Sequence, residues 1–147
     1  MKPEPLPSTS TEDYLERIQE LIEEKGYARA VDIARALGIR QPSVTAMVQK
    51  LADGGYLNYE KYRGLTLTAK GHAVASGIRE RHQTLRRFFT LLDLPSTTQE
   101  CDIEGIEHCL SSATVSALAR LADFFEANPA VLSQFSKFPK RASKLRV

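Results

Sequence analysis

Acids and imidazoles recur along this chain at spacings that place them on common helix faces. In Glu104-Gly105-Ile106-Glu107-His108, positions i, i+3 and i+4 share one face of an α-helix, so Glu104, Glu107 and His108 are predicted to point the same way. Two carboxylates and an imidazole are costly to crowd together without a cation. Asp13 and Glu16 repeat the i, i+3 acid spacing near the N-terminus, and His82 lies on a third predicted helix. Singly, these features have plainer readings. Asp13 with Glu16 suits a solvated helix start favoured by the dipole, and His82, among Arg79, Glu80, Arg81 and Gln83, suits a surface histidine. Together, four carboxylates and two imidazoles match a pair of divalent cations, oxygen-rich and harder than a thiolate zinc site. His72 has no such spacing and is left aside.

Composition bounds what can carry such a site. With 147 residues, 42% hydrophobic and 26% charged, the chain can bury one good core or divide it between two small lobes. Its apolar runs are short and broken by charge, unlike a membrane span. Met1 to Ser10 has one lysine and three prolines but no apolar core, unlike a signal peptide, so a cytoplasmic protein is expected. Cys101 and Cys109, eight positions apart on one predicted helix, would lie about 12 Å apart along its axis, too far for a disulfide. They read as small core or surface residues in a reducing compartment, a metal or redox role being the alternative. The net charge of +2 hides segregation: six acids against one arginine from Glu12 to Glu24, five bases against two acids from Arg40 to Lys70, and five bases without an acid from Lys137 onward.

The elements that must position the acids follow from periodicity and punctuation. Pro3, Pro5 and Pro7 make residues 1–9 a disordered leader. Ser10 or Thr11 is placed to cap a first helix that buries Tyr14, Ile18, Leu21 and Ile22 and ends at Gly26. A second helix, Ala30 to Leu37, carries Val31, Ile33, Ala34 and Leu37 and breaks at Gly38. Pro42 opens a third in the first-turn position where its missing N–H costs nothing, with Val44, Met47, Val48 and Leu51 on its apolar face. Two short strands, Tyr56 to Lys61 and Leu65 to Thr68, flank a turn at Tyr62-Arg63-Gly64. Thr68 caps a long helix to about Leu92, weakened at Gly71 and Gly77 by roughly 1 kcal/mol each. An all-helical remainder follows: Thr97 to Leu110 with the acidic motif, Ser112 to Glu126 with a stripe of Val115, Leu118, Leu121, Ala122 and Phe125, and a last helix from Asn128-Pro129.

Helix, glycine turn, helix with a polar exposed face, then a ribbon with Arg63 at its tip is the winged helix-turn-helix pattern. Small Ser43 and Ala46 allow close approach to a major groove. Gln41, Thr45 and Gln49 can donate and accept against base edges, Thr45 being the one most easily explained as plain helix surface. Arg40 and Pro42 flank this surface at the turn, and Lys50, Lys61 and Arg63 are long cations suited to phosphates. The same core also serves as a protein-interaction module. The concentration of bases on turn, third helix and wing favours double-stranded DNA.

Both halves agree with one family. The stretches Glu12-Asp13-Tyr14-Leu15-Glu16, Gly26-Tyr27-Ala28-Arg29, Pro42-Ser43-Val44-Thr45, Tyr59-Glu60-Lys61-Tyr62-Arg63-Gly64-Leu65, Arg81-His82 and Glu104-Gly105-Ile106-Glu107-His108 resemble the manganese transport regulators of the DtxR-type family of metal-dependent transcriptional repressors, from Thr11 to about Glu126. The resemblance implies a homodimer on an inverted-repeat operator and two Mn2+ per subunit. Its ligands would match Asp13, Glu16, His82, Glu104, Glu107 and His108, with Glu104 and Glu107 bridging. The iron-sensing branch carries a sulfur-bearing residue where Glu104 stands, so a hard carboxylate there favours manganese. Two departures stand out: Cys109 occupies a place where the manganese regulators commonly have a second histidine, and Cys101 lies within a turn of Glu104. Either thiol could broaden preference toward zinc or iron. The chain also lacks the SH3-like third domain of the larger iron-type regulators.

The expected architecture is therefore mostly α with a small β-wing. Residues 10–70 form a winged helix-turn-helix and 71–136 an all-helical metal-binding and dimerisation domain, linked by the helix over about 68–92 and followed by a basic tail, 137–147. The implied function is Mn2+-dependent repression of manganese-uptake genes. Alternatives are an iron- or zinc-responsive repressor and a metal-independent winged-helix module binding DNA or protein. Two-metal hydrolases use similar donors, but the chain offers no glycine-rich phosphate loop and no nucleophile with its base, so neither an enzyme nor a small-molecule substrate is expected.

Overall fold

Leu15, Ile18 and Leu21 recur three residues apart, and burying that stripe (0%, 0% and 6% exposed) makes the first helix, α1 (Thr9–Lys25). A computed structural model describes residues 9–60 and 64–140 of the chain. It separates into two units, Met1–Glu80 and Arg81–Val147. The 1–8 portion of the expected leader and the tail from residue 141 lie outside the described residues, as do Lys61, Tyr62 and Arg63.

In the first unit, α1 is followed by α2 (Ala30–Leu37) and α3 (Gln41–Asp53). Gly38, at φ +66°, ends α2 in the left-handed conformation that L side chains rarely adopt. The N–H of Gly38 then bonds Arg35 O at 3.4 Å and that of Ile39 bonds Ala34 O at 3.0 Å, so the exposed carbonyls at the helix end are satisfied. Gly55 (φ +76°) closes α3 the same way, with Tyr56 N on Leu51 O at 2.9 Å. The wing pairs β1 (Leu57–Glu60) with β2 (Gly64–Leu67) antiparallel, Leu57 opposite Leu67 and Tyr59 opposite Leu65. Leu57, Leu65 and Leu67 share the inner face of the ribbon and join Leu15, Ile18, Ile33, Val44 and Leu51 in the core; Tyr59, on that face but nearer the tip, is 77% exposed. Leu65 N bonds Ala28 O at 3.3 Å, tying the wing to the turn before α2.

Helix α4 (Ala69–Leu91) starts at the expected cap: Thr68 Oγ1 accepts from Gly71 N at 3.1 Å and donates to Gly55 O at 2.6 Å. Gly71 and Gly77, alike in sequence, differ in place. A Cβ on Gly71 would stand 2.2 Å from Tyr56 O, whereas one on Gly77 meets nothing within 4 Å. Gly71→Ala is therefore expected to destabilise the protein despite its better helix propensity, and Gly77→Ala to stabilise it by up to about 1 kcal/mol. Urea melts of the two variants decide this; a stable Gly71→Ala protein would mean the wing backbone yields freely.

The second unit continues α4 and adds α5 (Ser96–Ile106), a 3-10 turn (Glu107–Cys109), α6 (Ser112–Ala127) and α7 (Pro129–Lys137). Leu85, Ile103, Val115 and Ala122 are buried there. The α4–α5 corner turns at Asp93 (φ +58°), a residue type that tolerates this region. Buried Gln99 donates to Leu94 O at 2.8 Å and accepts from Thr90 Oγ1 at 3.3 Å, fixing α5 to the end of α4. Arg87 of α4 donates to Ala119 O at 3.0 Å and pairs with Asp123 and Glu126, fixing α6 as well. Among the described residues no helix is long and apolar enough to cross a membrane.

Several expectations need correcting. α1 begins at Thr9, so Ser10 and Thr11 are helical rather than caps; no proline follows Pro7 to delay the start. Gly64 belongs to β2, not to the turn. Val31 and Leu121 are 44% and 40% exposed, because each sits off the arc its helix buries. Leu15, unremarked in the sequence, is fully buried. The acidic motif is not one continuous α-helix, since α5 stops at Ile106 (φ −115°).

Candidate metal centre and DNA-reading surface

Burial separates the two acids of the motif. Glu107 N bonds Ile103 O, and Glu107, one turn after fully buried Ile103, is 3% exposed while Glu104 stays exposed on α5. Buried Glu107 meets two imidazoles. His82 Nδ1 is within hydrogen-bond distance of its Oε2 at 3.0 Å, and His108 Nε2 lies 3.8 Å from its Oε1. Burial pushes the Glu107 carboxyl above the usual carboxylate range; the charges of His82 and His108 oppose this and Glu104 adds to it. A buried carboxylate between two imidazoles, with another acid within electrostatic reach, has the donor chemistry of a divalent-cation site.

Of the six expected ligands, His82, Glu107 and His108 are thus brought together in the second unit, with Glu104 beside them. Asp13 and Glu16 lie half-buried on α1 in the first unit, three residues apart. Among the described residues no group of three or more His, Cys, Asp or Glu is arranged to hold a metal ion. Cys101 and Cys109 are free and exposed. Spacing passes over Arg86, one turn after His82, whose guanidinium donates to His82 Nε2 at 3.2 Å. The i, i+4 relation to a histidine is the signal that could have found it.

On the other unit, Arg40, Gln41, Pro42, Ser43, Thr45, Ala46, Gln49 and Lys50 are all exposed, while Val44 and Leu51 anchor α3 from behind. A helix held by one apolar edge and offering small and polar groups on the other can enter a major groove. Thr45 Oγ1 bonds Gln41 O at 3.1 Å, so that hydroxyl serves its own helix, and Gln49 Nε2 donates to Asp53 Oδ1 at 2.9 Å. Lys61 and Arg63 fall outside the described residues. Sequence reasoning also passed over Arg29, exposed at the start of α2 and held 4.7 Å over the Tyr27 ring.

Comparison with known proteins agrees with this division. Residues 8–65 match the family described as iron dependent repressor, N-terminal DNA binding domain. Residues 68–136 match its metal binding and dimerisation domain. The chain is 45% identical over 136 residues to the HTH-type transcriptional regulator MntR of Shouchella clausii, covering 92% of this chain and 95% of that one. It is 46% identical over 127 residues to the MntR of Listeria welshimeri, covering 86% and 89%. Among solved structures it resembles the manganese regulator SloR (TM-score 0.68, 29% identity, 78% of this chain and 54% of that chain). The metal-dependent transcriptional regulator MtsR is similar too (TM-score 0.73, 25% identity, 78% and 54%). The chain spans about half the length of these two structures.

Proposed function

Because the chain belongs to the iron-dependent, DtxR-type family of metal-dependent transcriptional repressors, we propose that it is a Mn2+-responsive repressor acting in the cytoplasm on manganese-uptake genes. Two Mn2+ per subunit would be held by Asp13, Glu16, His82, Glu104, Glu107 and His108. The observation that carries this is the Glu107 carboxylate, 3% exposed and facing two imidazoles, in a segment matched to a metal-binding domain. Manganese is favoured over a thiophilic metal by the carboxylate at Glu104 and by the manganese regulators among the relatives.

Arg40, Gln41, Pro42, Ser43, Thr45, Ala46, Gln49 and Lys50 would face DNA, with Lys61 and Arg63 on the wing. A second copy of the chain would cover the exposed Leu121 and Phe124 of α6 and Phe135 and Phe138 of and beyond α7 (40, 50, 46 and 74% exposed). Two recognition helices related by a two-fold axis call for an inverted-repeat operator. Bound cations would offset the negative charge of these carboxylates, and because the proposed ligands come from α1, α4, α5 and the 3-10 turn, binding would favour one DNA-matching arrangement over others.

Capture of sheared genomic DNA by the purified protein, with Mn2+ and with chelator, tests the whole reading. Enrichment of a few promoter fragments with Mn2+ alone is expected. Equal enrichment under both conditions would leave a constitutive DNA binder and remove the metal switch.

A further inference from the structure

We propose that Arg86 is a built-in competitor for the metal: its guanidinium holds His82 in a tautomer that cannot ligate, and loading requires Arg86 to let go. This rests on His82 being a ligand, as proposed above. Both residues lie on α4, four positions apart and therefore on one face. One guanidinium nitrogen of Arg86 is 3.2 Å from His82 Nε2, and His82 Nδ1 is 3.0 Å from Glu107 Oε2.

The donor inventory decides the rest. A guanidinium carries donors alone and keeps its proton, so Nε2 must be the acceptor in that hydrogen bond. The single N–H of the neutral ring is then on Nδ1, where it donates to the Glu107 carboxylate. A metal ion needs a ring lone pair. In this arrangement the one lone pair, on Nε2, is covered by Arg86. Ligation through Nδ1 instead, from the Glu107 side, sends the proton to Nε2, where its N–H would face the N–H of Arg86. Donor would meet donor. Ligation at either nitrogen therefore obliges Arg86 to leave.

Charge acts in the same direction. Metal-free, Arg86 supplies a positive charge beside the ring that pairs with buried Glu107; with a divalent ion in place, that charge repels it. Arg86 has somewhere to go, since it lines an open groove with Gln83, Arg87, Thr90 and Glu126. The carboxylate of Glu126, 3.2 Å from Arg87 Nε, keeps lone pairs for a second guanidinium. Arg86 itself is exposed, so water screens the repulsion and the effect on affinity is expected to be about tenfold rather than thousands. Its consequence is a raised metal threshold: the same ligands respond at a higher Mn2+ concentration than they would with a neutral residue at this position.

The test uses the full chain with two variants and one control. Arg86→Met keeps the aliphatic stem and removes the donors. Arg86→Gln is neutral and can serve Nε2 as donor or acceptor, so it removes the charge and leaves the ring free to present either nitrogen. His82→Ala reports whether His82 ligates at all. Mn2+ alone is titrated into each and free Mn2+ read by electron paramagnetic resonance. Imidazole nitrogen chemical shifts are measured separately on metal-free protein. Both Arg86 variants are expected to bind Mn2+ about tenfold more tightly. In the metal-free wild type, His82 should carry its proton on Nδ1. Unchanged or weaker binding in both Arg86 variants, with His82→Ala weakened, overturns the competitor and keeps the ligand. A proton on Nε2 in the metal-free wild type overturns it as well. Wild-type binding by His82→Ala overturns the ligand reading and the competitor with it.

Discussion

Glu107→Gln is expected to lose the metal response and yet to make the metal-free protein more stable. Glu107 is 3% exposed, and burial is the largest influence raising its pKa above the usual carboxylate range. A raised folded-state pKa means that the folded protein holds this proton more tightly than the unfolded chain does. Stability then falls as pH climbs from about the unfolded value through the raised folded one, and the cost is fully present above it. Glutamine cannot ionise and still offers an oxygen to His82 Nδ1. At neutral pH the metal-free variant should therefore melt higher than the wild type and lose the wild type's decline across that window. Mn2+ binding should weaken by about a hundredfold or more, since even residues that merely support a ligand cost about 10–100-fold. Melts from pH 4 to 8 without metal, paired with Mn2+ titrations, check both halves. Metal binding retained within a few-fold would take Glu107 out of the centre, and a lower melting point would mean that His82 and His108 more than offset the cost of its buried charge.

That opposition of stability and function explains what sequence could and could not reveal. The α2 limits, the Thr68 cap and the wing were legible because each is punctuated locally, by Gly38, by a threonine three residues before Gly71, and by leucines alternating through Leu57, Leu65 and Leu67. The ligands proposed for the centre rest on the same kind of signal, spacing within a few residues. Burial is a different matter. Helical spacing put Glu104 and Glu107 on one face, but only Glu107 stands one turn from buried Ile103, so it is buried while Glu104 stays exposed. Nothing in the local pattern distinguishes Gly71 from Gly77 either, since the carbonyl that crowds Gly71 belongs to Tyr56, fifteen positions earlier. Arg86 reads as one more charge on a charged helix until His82 Nε2 is seen facing it.

Ala46→Glu should abolish DNA binding while leaving the metal centre untouched. Ala46 is exposed on α3 among Ser43, Gln49 and Lys50, and glutamate is a good helix former, so the fold has no reason to change. If this face enters the major groove, the longer side chain collides with base edges and its charge meets phosphates, at a desolvated contact where like charges cost several kcal/mol. A loss of about a hundredfold or more is expected on a captured promoter fragment, with Mn2+ affinity as in the wild type. Lys50→Ala provides the graded counterpart: one phosphate contact fewer should flatten the plot of log affinity against log salt by about 0.9. Fluorescence anisotropy across a salt series measures both variants. Wild-type affinity in Ala46→Glu would mean that α3 is not the reading helix, whatever the family. Loss of DNA binding with intact metal binding would show the two activities to be separable, which a sensor requires, because the metal must bias a DNA-binding arrangement without itself touching DNA.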